Sequence, residues 1–549
     1  MNTLRVVKDF IKDNNLIFVL MVLSFCLRII PISWGVPIGL YSKRFHPDEV
    51  KLYTTIINFP SVYLETSQFP AYGTTMQYIV GMVMLPIKFI VVKILSARDY
   101  YKLIAIIMGR LASVIFGTGS LYLVYILGKK LFSPMTGIIA AAFLSCSFYH
   151  VLNSPLCTVD ITMGFFLLLT FISFIHLYNK KSIGSSLIFG MCIGLLMGTK
   201  ITSGMFVAPA CIFFLLPAFR KDGFNQIVFF RQLKLICISL LVGGIVFILF
   251  HPHIFRDISG YVGFYTREKI HWVDRYRSLG VNVICQWYEE TRIAVGLYVT
   301  VLAFIGLFYS IRGARPHAFL LVVFLIAYYM FWRYFTVARY IATIAPFLCL
   351  IAAYTCCQFI GSKHVFMKIA GWSFVFLTIC SSIYSCVSGI YLRLHDTRIT
   401  ASQYIEETIP AGTTVGVGSV SEQYTWKTHA WRMPKFDFNR YIEKNLLEYP
   451  DIIIMRQDDI DKVTESIKDN KVNEDYVLDD KYANEWYRYS CPTPEIFMFY
   501  DDVFMKKDSP YEVVKRFYIH VNVPLEFPPP EILIYKKKQL VPDTNDNIL

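Results

Sequence analysis

Two adjacent carboxylates, Asp48 and Glu49, follow the first apolar segment of the chain in the stretch His46-Pro47-Asp48-Glu49. A third acid, Asp160, stands at the beginning of a later apolar segment. Charged side chains beside a membrane are costly to hold and usually serve a function, and carboxylates are suited to proton transfer. A structural alternative exists for each, because a carboxylate at a helix N-terminus complements the helix dipole. We predict a functional role for all three acids.

Basic and aromatic side chains also stand where apolar segments end or begin. Lys200 closes the Gly-rich run Gly194–Lys200, and Arg339-Tyr340 opens another apolar segment. His251 and His253 follow a third apolar run. Each has a plainer interpretation: a Lys can snorkel to the interface, an Arg can anchor a helix there, and a His at a helix end is more often structural.

A further acidic pair, Glu289-Glu290, follows Trp287-Tyr288. Aromatic rings gather at the membrane–water interface, where exposed charges commonly accompany them. We therefore interpret this pair as part of a solvated rim and leave it out of the candidate site. The charge-rich stretch 265–277 is a candidate lining of an acceptor groove.

Composition defines the class of protein. The chain has 549 residues, of which 55% are hydrophobic, and a mean hydropathy of +0.47. A soluble protein of this size is far less apolar, so the sequence predicts a polytopic membrane protein. Residues 1–390 carry 33 basic against 13 acidic side chains, and residues 391–549 carry 20 against 27. Basic loops next to anionic lipid account for this division, and we predict no nucleic-acid partner.

The cysteines indicate neither a disulfide framework nor a metal site. Most of the 13 lie in apolar segments, no CxxC pair occurs, and only Cys491 lies after residue 390. The C-terminal part therefore has no second cysteine with which to form an internal disulfide.

The apolar segments predict about 11 membrane-spanning helices. The first, 16–34, follows basic residues and is long for a signal peptide, so we interpret it as an uncleaved anchor with a cytoplasmic N-terminus. The other ten are 103–127, 134–151, 160–177, 183–199, 203–219, 235–250, 294–311, 317–332, 340–360 and 365–390. Segment 74–95 is ambiguous, and we interpret it as lying along or dipping into the membrane, because the basic loops then all face the cytoplasm.

This topology predicts two domains. Residues 1–390 form the membrane domain, whose first outer loop, 35–102, carries the acidic motif. Residues 391–549 form a small α/β domain outside the cytoplasm, because helix-like and strand-like patterns alternate there. We predict helices at 397–409 and 458–467 and strands at 414–417, 451–455 and 531–535. Asp48, Glu49, Asp160, Lys200 and Arg339 then share the outer face.

Taken in order, these motifs resemble the GT-C superfamily of integral-membrane glycosyltransferases, and within it the family of protein O-mannosyltransferases and lipid A aminoarabinose transferase. The resemblance covers residues 1 to about 420 and rests on His46–Glu49, Ser154–Asp160, Gly194–Thr202, Arg339–Pro346 and Asp396–Pro410. Two departures stand out. The transferases of aminoarabinose carry a Lys before a Pro pair where this chain has Gln68–Ala71, and the Trp-Trp-Asp signature of oligosaccharyltransferases is absent from the sequence.

The resemblance implies a donor sugar carried on a polyprenyl or dolichyl phosphate and transfer of one sugar by inverting single displacement. Asp48 would be the general base, and Glu49 and Asp160 would orient it, raise its pKa or hold a divalent cation. Lys200, Arg339, Tyr340 and His46 would bind the substrate and its phosphate. Candidate metal ligands are Asp48, Asp160 and His251, and a divalent ion as cofactor is left open.

Other functions compete with this one. A transporter or flippase of lipid-linked sugars is disfavoured, because no internal repeat occurs and the acids fall at membrane exits. A surface-polysaccharide ligase or polymerase stays open, as does a scaffold whose outer domain binds partners. The acceptor is a glycan, a glycolipid or a protein hydroxyl.

Overall fold

The computed structural model describes residues 15–36, 48–61, 73–220, 223–255, 283–312, 316–331, 337–410, 413–417, 437–439, 451–457, 508–519 and 531–538, with a few isolated positions between them. The chain divides into two compact units. The first comprises Met1–Ser33 and Asp48–Ile390, and the second comprises Trp34–Pro47 and Tyr391–Leu549.

The first unit is a bundle of apolar helices. Its helices are α1 Asn15–Ile29, α2 Glu49–Asn58, α3 Thr75–Lys88, α4 Arg98–Leu131, α5 Pro134–Ser145, α6 Phe148–Asn153, α7 Val159–Lys180, α8 Ile183–Thr199, α9 Val207–Leu215, α10 Gln226–Phe250, α11 Val283–Val295, α12 Leu297–Arg312, α13 Pro316–Phe331, α14 Ala338–Ile360 and α15 Val365–Leu394. Helix α3 continues as the π-helix Phe89–Ile94, and 3₁₀ turns follow α1, α8, α9 and α10. A two-stranded hairpin, β1 Phe219–Arg220 and β2 Gly223–Phe224, precedes α10.

The described residues contain eight helices that are long and apolar enough to cross a membrane, or nine if the bent pair α11–α12 counts as one span. The polytopic membrane fold is thereby confirmed. The difference from about 11 has a physical cause, because α5, α8 and α13 have only 12, 17 and 16 residues, and about 20 are needed to cross alone. Segment Thr75–Ile94 is one of the eight, since it meets the length and hydropathy requirement for a span. The interpretation that it lies along or dips into the membrane stays a prediction.

Local signals explain where several helices begin. Ser133 accepts a hydrogen bond from the Thr136 N–H at 3.1 Å, and Pro134 occupies the first position of α5. Ser182 and Ser185 form a reciprocal capping box at the start of α8. Both arrangements satisfy N–H groups that have no partner within the helix.

Small residues bring α8 and α10 into close contact. Gly190 and Gly194 are one turn apart on α8, and a Cβ atom at either would lie 2.5 Å from an atom of α10. Ser239 of α10 donates a hydrogen bond to the Ser186 carbonyl at 3.1 Å. Small residues at four-residue spacing let membrane helices pack backbone to backbone. The Gly-rich run that ends at Lys200 therefore serves as a packing surface for α10.

A buried arginine joins α1 to the end of α5. Arg28 donates to the carbonyl oxygens of Leu144 and Ser145 at 3.1 Å each, to Ser154 Oγ at 3.2 Å and to His150 Nδ1 at 2.9 Å. The last carbonyls of a helix have no partner within it and carry partial negative charge. Arg28 therefore acts as a C-terminal cap supplied by another helix.

The second unit contains a five-stranded mixed sheet in the order β4-β3-β5-β7-β6. Its elements are helix α16 Thr397–Thr408 and strands β3 Thr414–Val417, β4 Asp437–Asn439, β5 Ile452–Arg456, β6 Tyr511–Phe517 and β7 Ile532–Lys537. Strand β3 runs parallel to β4 and β5, whereas β7 runs antiparallel to β5 and β6. The apolar stripe of α16 packs on the central strands through Ala401, Ile405, Ile409, Ile452, Ile454, Ile532 and Ile534.

Most of the predicted C-terminal elements are confirmed. The helix predicted at 397–409 and the strands at 414–417, 451–455 and 531–535 agree with α16, β3, β5 and β7 to within one or two residues. Strands β4 and β6 were missed. Of the helix predicted at 458–467, most residues lie outside the described part of the chain.

The segment after α1 is anchored within the second unit. Trp34 Nε1 donates to Asp396 Oδ2 at 3.0 Å, and Asp396 caps α16 by accepting from the Arg398 N–H at 3.0 Å. The Arg393 guanidinium lies 4.6 Å from the centre of the Trp34 ring. Trp34, which ends the predicted first span just before the first outer loop, is therefore fixed by a hydrogen bond and by a cation–π contact.

Candidate active site

Asp48 occupies the N-cap position of α2, but its side chain makes no capping hydrogen bond. Its carboxylate instead meets Arg339, with 2.7 Å between Oδ2 and Nη1. The two side chains are 20% and 17% exposed. Arg339 lies in the first turn of α14, where a cation opposes the helix dipole. The Asp48 carboxylate offsets that positive end, and both groups stay accessible from solvent.

Glu49, the next residue, is directed elsewhere. Its carboxylate receives two hydrogen bonds from Arg110 on α4, from Nε at 2.9 Å and from Nη2 at 2.7 Å, and a third from the Cys157 N–H at 2.7 Å. Both side chains of this pair are fully buried. Arg110 also donates from Nη1 to the Ile32 carbonyl at 2.6 Å. One guanidinium thus holds the chain on both sides of the stretch that leads to Asp48.

Asp160 and Lys200 form a second buried ion pair, with 3.3 Å between Oδ1 and Nζ. Thr158, not Asp160, is the N-cap residue of α7, and Asp160 lies in the first turn. Lys200 is the C-cap residue of α8 and is only 7% exposed. The snorkelling interpretation of Lys200 therefore does not describe this structure, since its ammonium group points to a carboxylate inside the bundle.

Tyr340 connects the two ion pairs. The Lys200 Nζ atom lies 4.2 Å from the centre of the Tyr340 ring, and the Arg339 Cζ atom lies 5.3 Å from it. The Tyr328 hydroxyl of α13 donates to the Tyr340 carbonyl at 2.7 Å and fixes this part of the helix. A cluster results that we call the two-cation cluster: Asp48, Arg339, Tyr340, Lys200 and Asp160.

The first loop returns to the bundle beside this cluster. The Gly73 N–H donates to the Thr199 carbonyl at 3.0 Å, next to Lys200. A Cβ atom at Gly73 would lie 2.0 Å from the Gly198 carbonyl oxygen, so only glycine fits there. Thr75 Oγ1 donates to the Leu195 carbonyl at 3.2 Å. The predicted Gly-rich helix therefore positions Lys200 by packing against both α10 and the returning loop.

Two helix-end contacts hold α2, which carries Asp48. At its start, Arg110 binds Glu49, as described above. At its end, Lys88 Nζ of α3 donates to the carbonyls of Ile57 at 2.9 Å and Phe59 at 2.6 Å. Neither Arg110 nor Lys88 was predicted from the sequence. A single Arg within the apolar run of α4 is the signal that would have identified Arg110, because such a residue is rarely without a role.

The remaining predicted residues stand apart from these contacts. His46 and the side chain of His253 lie outside the described part of the chain. His251 is buried at the end of α10, where its ring stacks on Phe247 at 5.3 Å. Among the described residues no group of three or more His, Cys, Asp and Glu side chains has the arrangement of a metal site. The candidate ligand set Asp48, Asp160 and His251 stays a prediction.

Comparison with known proteins gives a match to a family over part of the chain and a similar fold. The family described as dolichyl-phosphate-mannose-protein mannosyltransferase matches residues 105–255. The archaeal oligosaccharyltransferase AglB from Archaeoglobus fulgidus, in complex with an inhibitory peptide and a dolichol-phosphate, is 13% identical with a TM-score of 0.51, covering 81% of this chain and 70% of that chain. The Archaeoglobus fulgidus oligosaccharyltransferase in the apo form is 13% identical with a TM-score of 0.51, covering 82% of this chain and 70% of that chain.

A third solved structure is ArnT from Cupriavidus metallidurans bound to undecaprenyl phosphate, at 13% identity and a TM-score of 0.49, covering 85% of this chain and 95% of that chain. A search of curated proteins gave no match. The similarity to the two oligosaccharyltransferase structures shows that the chain has a GT-C-like fold, in which a multi-pass helical membrane unit is accompanied by a small C-terminal sheet.

Proposed function

We propose that this protein is a glycosyltransferase that moves one sugar from a polyprenyl-phosphate-linked donor to an acceptor hydroxyl. The observation that carries the proposal is the two-cation cluster. Arg339 and Lys200 flank one tyrosine ring, and each cation is held by its own carboxylate. Fixed cations near a partly exposed carboxylate suit a reaction that expels a phosphate and removes a proton. The dolichol-phosphate bound by AglB and the family description of residues 105–255 support the same donor class.

In the proposed reaction, the acceptor oxygen attacks the anomeric carbon while the bond from that carbon to the phosphate oxygen breaks. The acceptor proton passes to Asp48, and the polyprenyl phosphate leaves with the electron pair of the broken bond. A single displacement of this kind inverts the anomeric configuration. A positioned general base contributes about 10²- to 10⁴-fold to the rate.

Arg339 and Lys200 would stabilise the charge that collects on the departing phosphate. A guanidinium presents several N–H donors in one plane and binds phosphate in a two-pronged manner, whereas an ammonium acts as a compact point charge. Asp160 keeps Lys200 directed at this place. We propose that Glu49, fully buried against Arg110, positions α2 and does not touch the reacting atoms.

We further propose that the cluster and the C-terminal sheet face away from the cytoplasm. Nucleotide sugars are cytoplasmic, so a site on the other side needs a donor that the membrane lipid carries across. The short basic connections between helices, such as Lys129-Lys130 and Lys180-Lys181, would then lie in the cytoplasm. A tag at the C-terminus should react with an impermeant reagent in intact cells, and labelling only after permeabilisation would contradict this orientation.

The test of the function compares cells that express wild type, Asp48→Asn or Asp99→Asn at equal membrane abundance. Asp99 is the control because its side chain is 91% exposed and pairs only with the neighbouring Lys102 among its described contacts. Mass spectrometry of glycans, glycolipids, glycoproteins and polyprenyl-phosphate sugars should show one lipid-linked sugar accumulating in Asp48→Asn. One product should lose a monosaccharide there, while Asp99→Asn matches wild type. A wild-type profile in a folded Asp48→Asn variant would exclude Asp48 as the base.

A further inference from the structure

Two adjacent acids on α11 have different environments. Glu289 forms an exposed pair with Arg292, with 2.5 Å between Oε2 and Nη2. Glu290 is partly buried, and its carboxylate faces the backbone N–H of Ala338 at the start of α14. Ala338 immediately precedes Arg339. The solvated-rim interpretation therefore fits Glu289 and does not fit Glu290.

The contacts of α11 explain why Glu290 reaches this place. Gly296 has φ +88°, and α11 and α12 bend there by 119°. Helix α11 then packs on α14 through the face that carries Ala294 and Thr291. The Thr291 hydroxyl hydrogen-bonds to the Tyr329 hydroxyl at 2.7 Å. Tyr329 is next to Tyr328, whose hydroxyl donates to the Tyr340 carbonyl. This face of α11 is therefore linked to the same end of α14 as the two-cation cluster.

Trp287 lies one turn before Glu290 on this face. Its ring centre is 5.5 Å from that of Tyr329. Its indole N–H is shielded from solvent and has no hydrogen-bond partner among the described residues. A buried donor without a partner is uncommon and calls for an explanation, of which a bound polar group is one. Trp287 and Glu290 together thus offer an aromatic surface, one donor and one charged acceptor near the start of α14.

We propose that Trp287 and Glu290 form a subsite for a sugar ring. This proposal rests on the proposed glycosyl transfer and names the chemistry of one substrate within it. A sugar presents hydroxyl donors that a carboxylate accepts, ether and hydroxyl oxygens that an indole N–H binds, and C–H faces that lie against aromatic rings. A site built to hydrogen-bond a substrate hydroxyl discriminates strongly against analogues without it, because its own polar groups are then left unpaired. The ring belongs either to the donor or to a glycan acceptor.

The variants Glu290→Gln, Glu290→Ala and Glu289→Gln separate this role from a purely structural one. Glutamine still presents a carbonyl oxygen to the Ala338 N–H, so Glu290→Gln keeps the helix contact and loses the charged acceptor. Glu289→Gln is the matched control in an exposed pair. If Glu290 only capped α14, Glu290→Gln would behave as Glu289→Gln, and only Glu290→Ala would lower thermal stability.

The donor arm measures binding of bare undecaprenyl phosphate and of its mannosyl, glucosyl, galactosyl and arabinosyl forms to the full-length protein in nanodiscs. If the subsite binds the donor sugar, Glu290→Gln weakens the preferred glycosylated form about 10- to 100-fold, the value of one hydrogen bond to a charged group, and leaves bare undecaprenyl phosphate unchanged. The acceptor arm titrates methyl pyranosides against the protein loaded with bare undecaprenyl phosphate and follows tryptophan fluorescence.

If the subsite binds an acceptor sugar, Glu290→Gln weakens a methyl pyranoside by the same factor and leaves all donor affinities unchanged. Equal affinities for Glu290→Gln and wild type in both arms would overturn the subsite. That result is distinguishable from failure of the proposed function, which appears as an unaltered cellular profile in Asp48→Asn.

Discussion

Substitution of Glu49 should destabilise the membrane unit far more than substitution of its neighbour Asp48. In Glu49→Gln the Arg110 guanidinium keeps its charge, is fully buried and loses its anionic partner. Removing one member of a buried ion pair typically costs about 3–5 kcal/mol of folding free energy. That cost corresponds to a change of about two to four orders of magnitude in the equilibrium between folded and unfolded protein. Asp48→Asn disrupts a partly exposed pair, for which about 1 kcal/mol or less is expected.

The assay is unfolding of the purified protein from mixed micelles by increasing mole fractions of SDS, followed by far-UV circular dichroism. The control Glu289→Gln makes the same chemical change in an exposed pair and should unfold close to wild type. Glu49→Gln should unfold at a clearly lower SDS fraction. If its midpoint coincided with that of Glu289→Gln, the interpretation of Glu49 as the buried support of α2 would be refuted.

A double-mutant cycle makes the test specific to the pair. Arg110→Met removes the cation and leaves Glu49 buried, so it should destabilise by a similar amount. The double variant Glu49→Gln with Arg110→Met removes both charges and should be less destabilised than the sum of the single variants. Additive effects would mean that the two side chains act independently, contrary to the bidentate geometry.

Three other predictions concern separate parts of the molecule. Lys88→Met leaves the last carbonyls of α2 without their cation, so transfer should fall several-fold while unfolding in SDS changes less than in Glu49→Gln. Gly194→Leu should block close packing of α8 on α10 and lower the yield of folded protein, whereas the same change at Gly184, which has open space around it, should be tolerated. Hydrogen bonds from Thr414 hold the pKa of Asp451 below its ordinary value, so the stabilisation they give is present above about pH 4 and is lost as the pH falls through the folded-state pKa. Thr414→Val should therefore destabilise the C-terminal sheet near neutral pH and have little effect in acid, as measured by unfolding at both pH values.

Individual candidate residues could be predicted from the sequence more readily than the residues with which they pair. Asp48, Asp160, Lys200 and Arg339 attracted attention because charged residues are rare in apolar segments, and this reasoning requires no tertiary structure. The pairing of Asp48 with Arg339 joins residues 291 positions apart. Such a pairing depends on how the helices pack, which the periodicity of a single helix does not specify.

Sequence adjacency was misleading for the acidic motif. Asp48 and Glu49 were predicted to act together because both lie where the chain leaves the membrane and match the motif of the resembled family, yet neighbouring residues at the start of a helix point about 100° apart. One carboxylate therefore faces Arg339 and the other enters the bundle. The same geometry separates Glu289 from Glu290. In both cases the helical period, applied to the motif itself, would have predicted divergent environments.

The missed strands have a different explanation. Strand β6, Tyr511–Phe517, lies at the edge of the sheet, and its inner five residues are all exposed. It has no alternation of apolar and polar side chains, and that alternation is the signal that identifies a half-buried strand. Strand β4 has only three residues. The confirmed strands β5 and β7, by contrast, contribute consecutive buried apolar residues, Ile452–Met455 and Ile532–Ile534.

The three ion pairs differ in burial, and therefore in the free energy needed to separate their charges. The side chains of Glu49 and Arg110 are fully buried, those of Asp160 and Lys200 are 7% and 8% exposed, and those of Asp48 and Arg339 are 20% and 17% exposed. Separating a buried pair leaves charges without solvation, and this cost falls as water gains access. In the proposed reaction, an incoming phosphate would exchange with Asp48 for Arg339 at a modest cost, whereas Lys200 would act on the phosphate without leaving its partner Asp160. Once released from Arg339, the Asp48 carboxylate would be available to accept the acceptor proton at the stage when the donor is in place. Under the proposed function, the most exposed pair would couple donor binding to catalysis, and the buried pairs would fix the positions from which it acts.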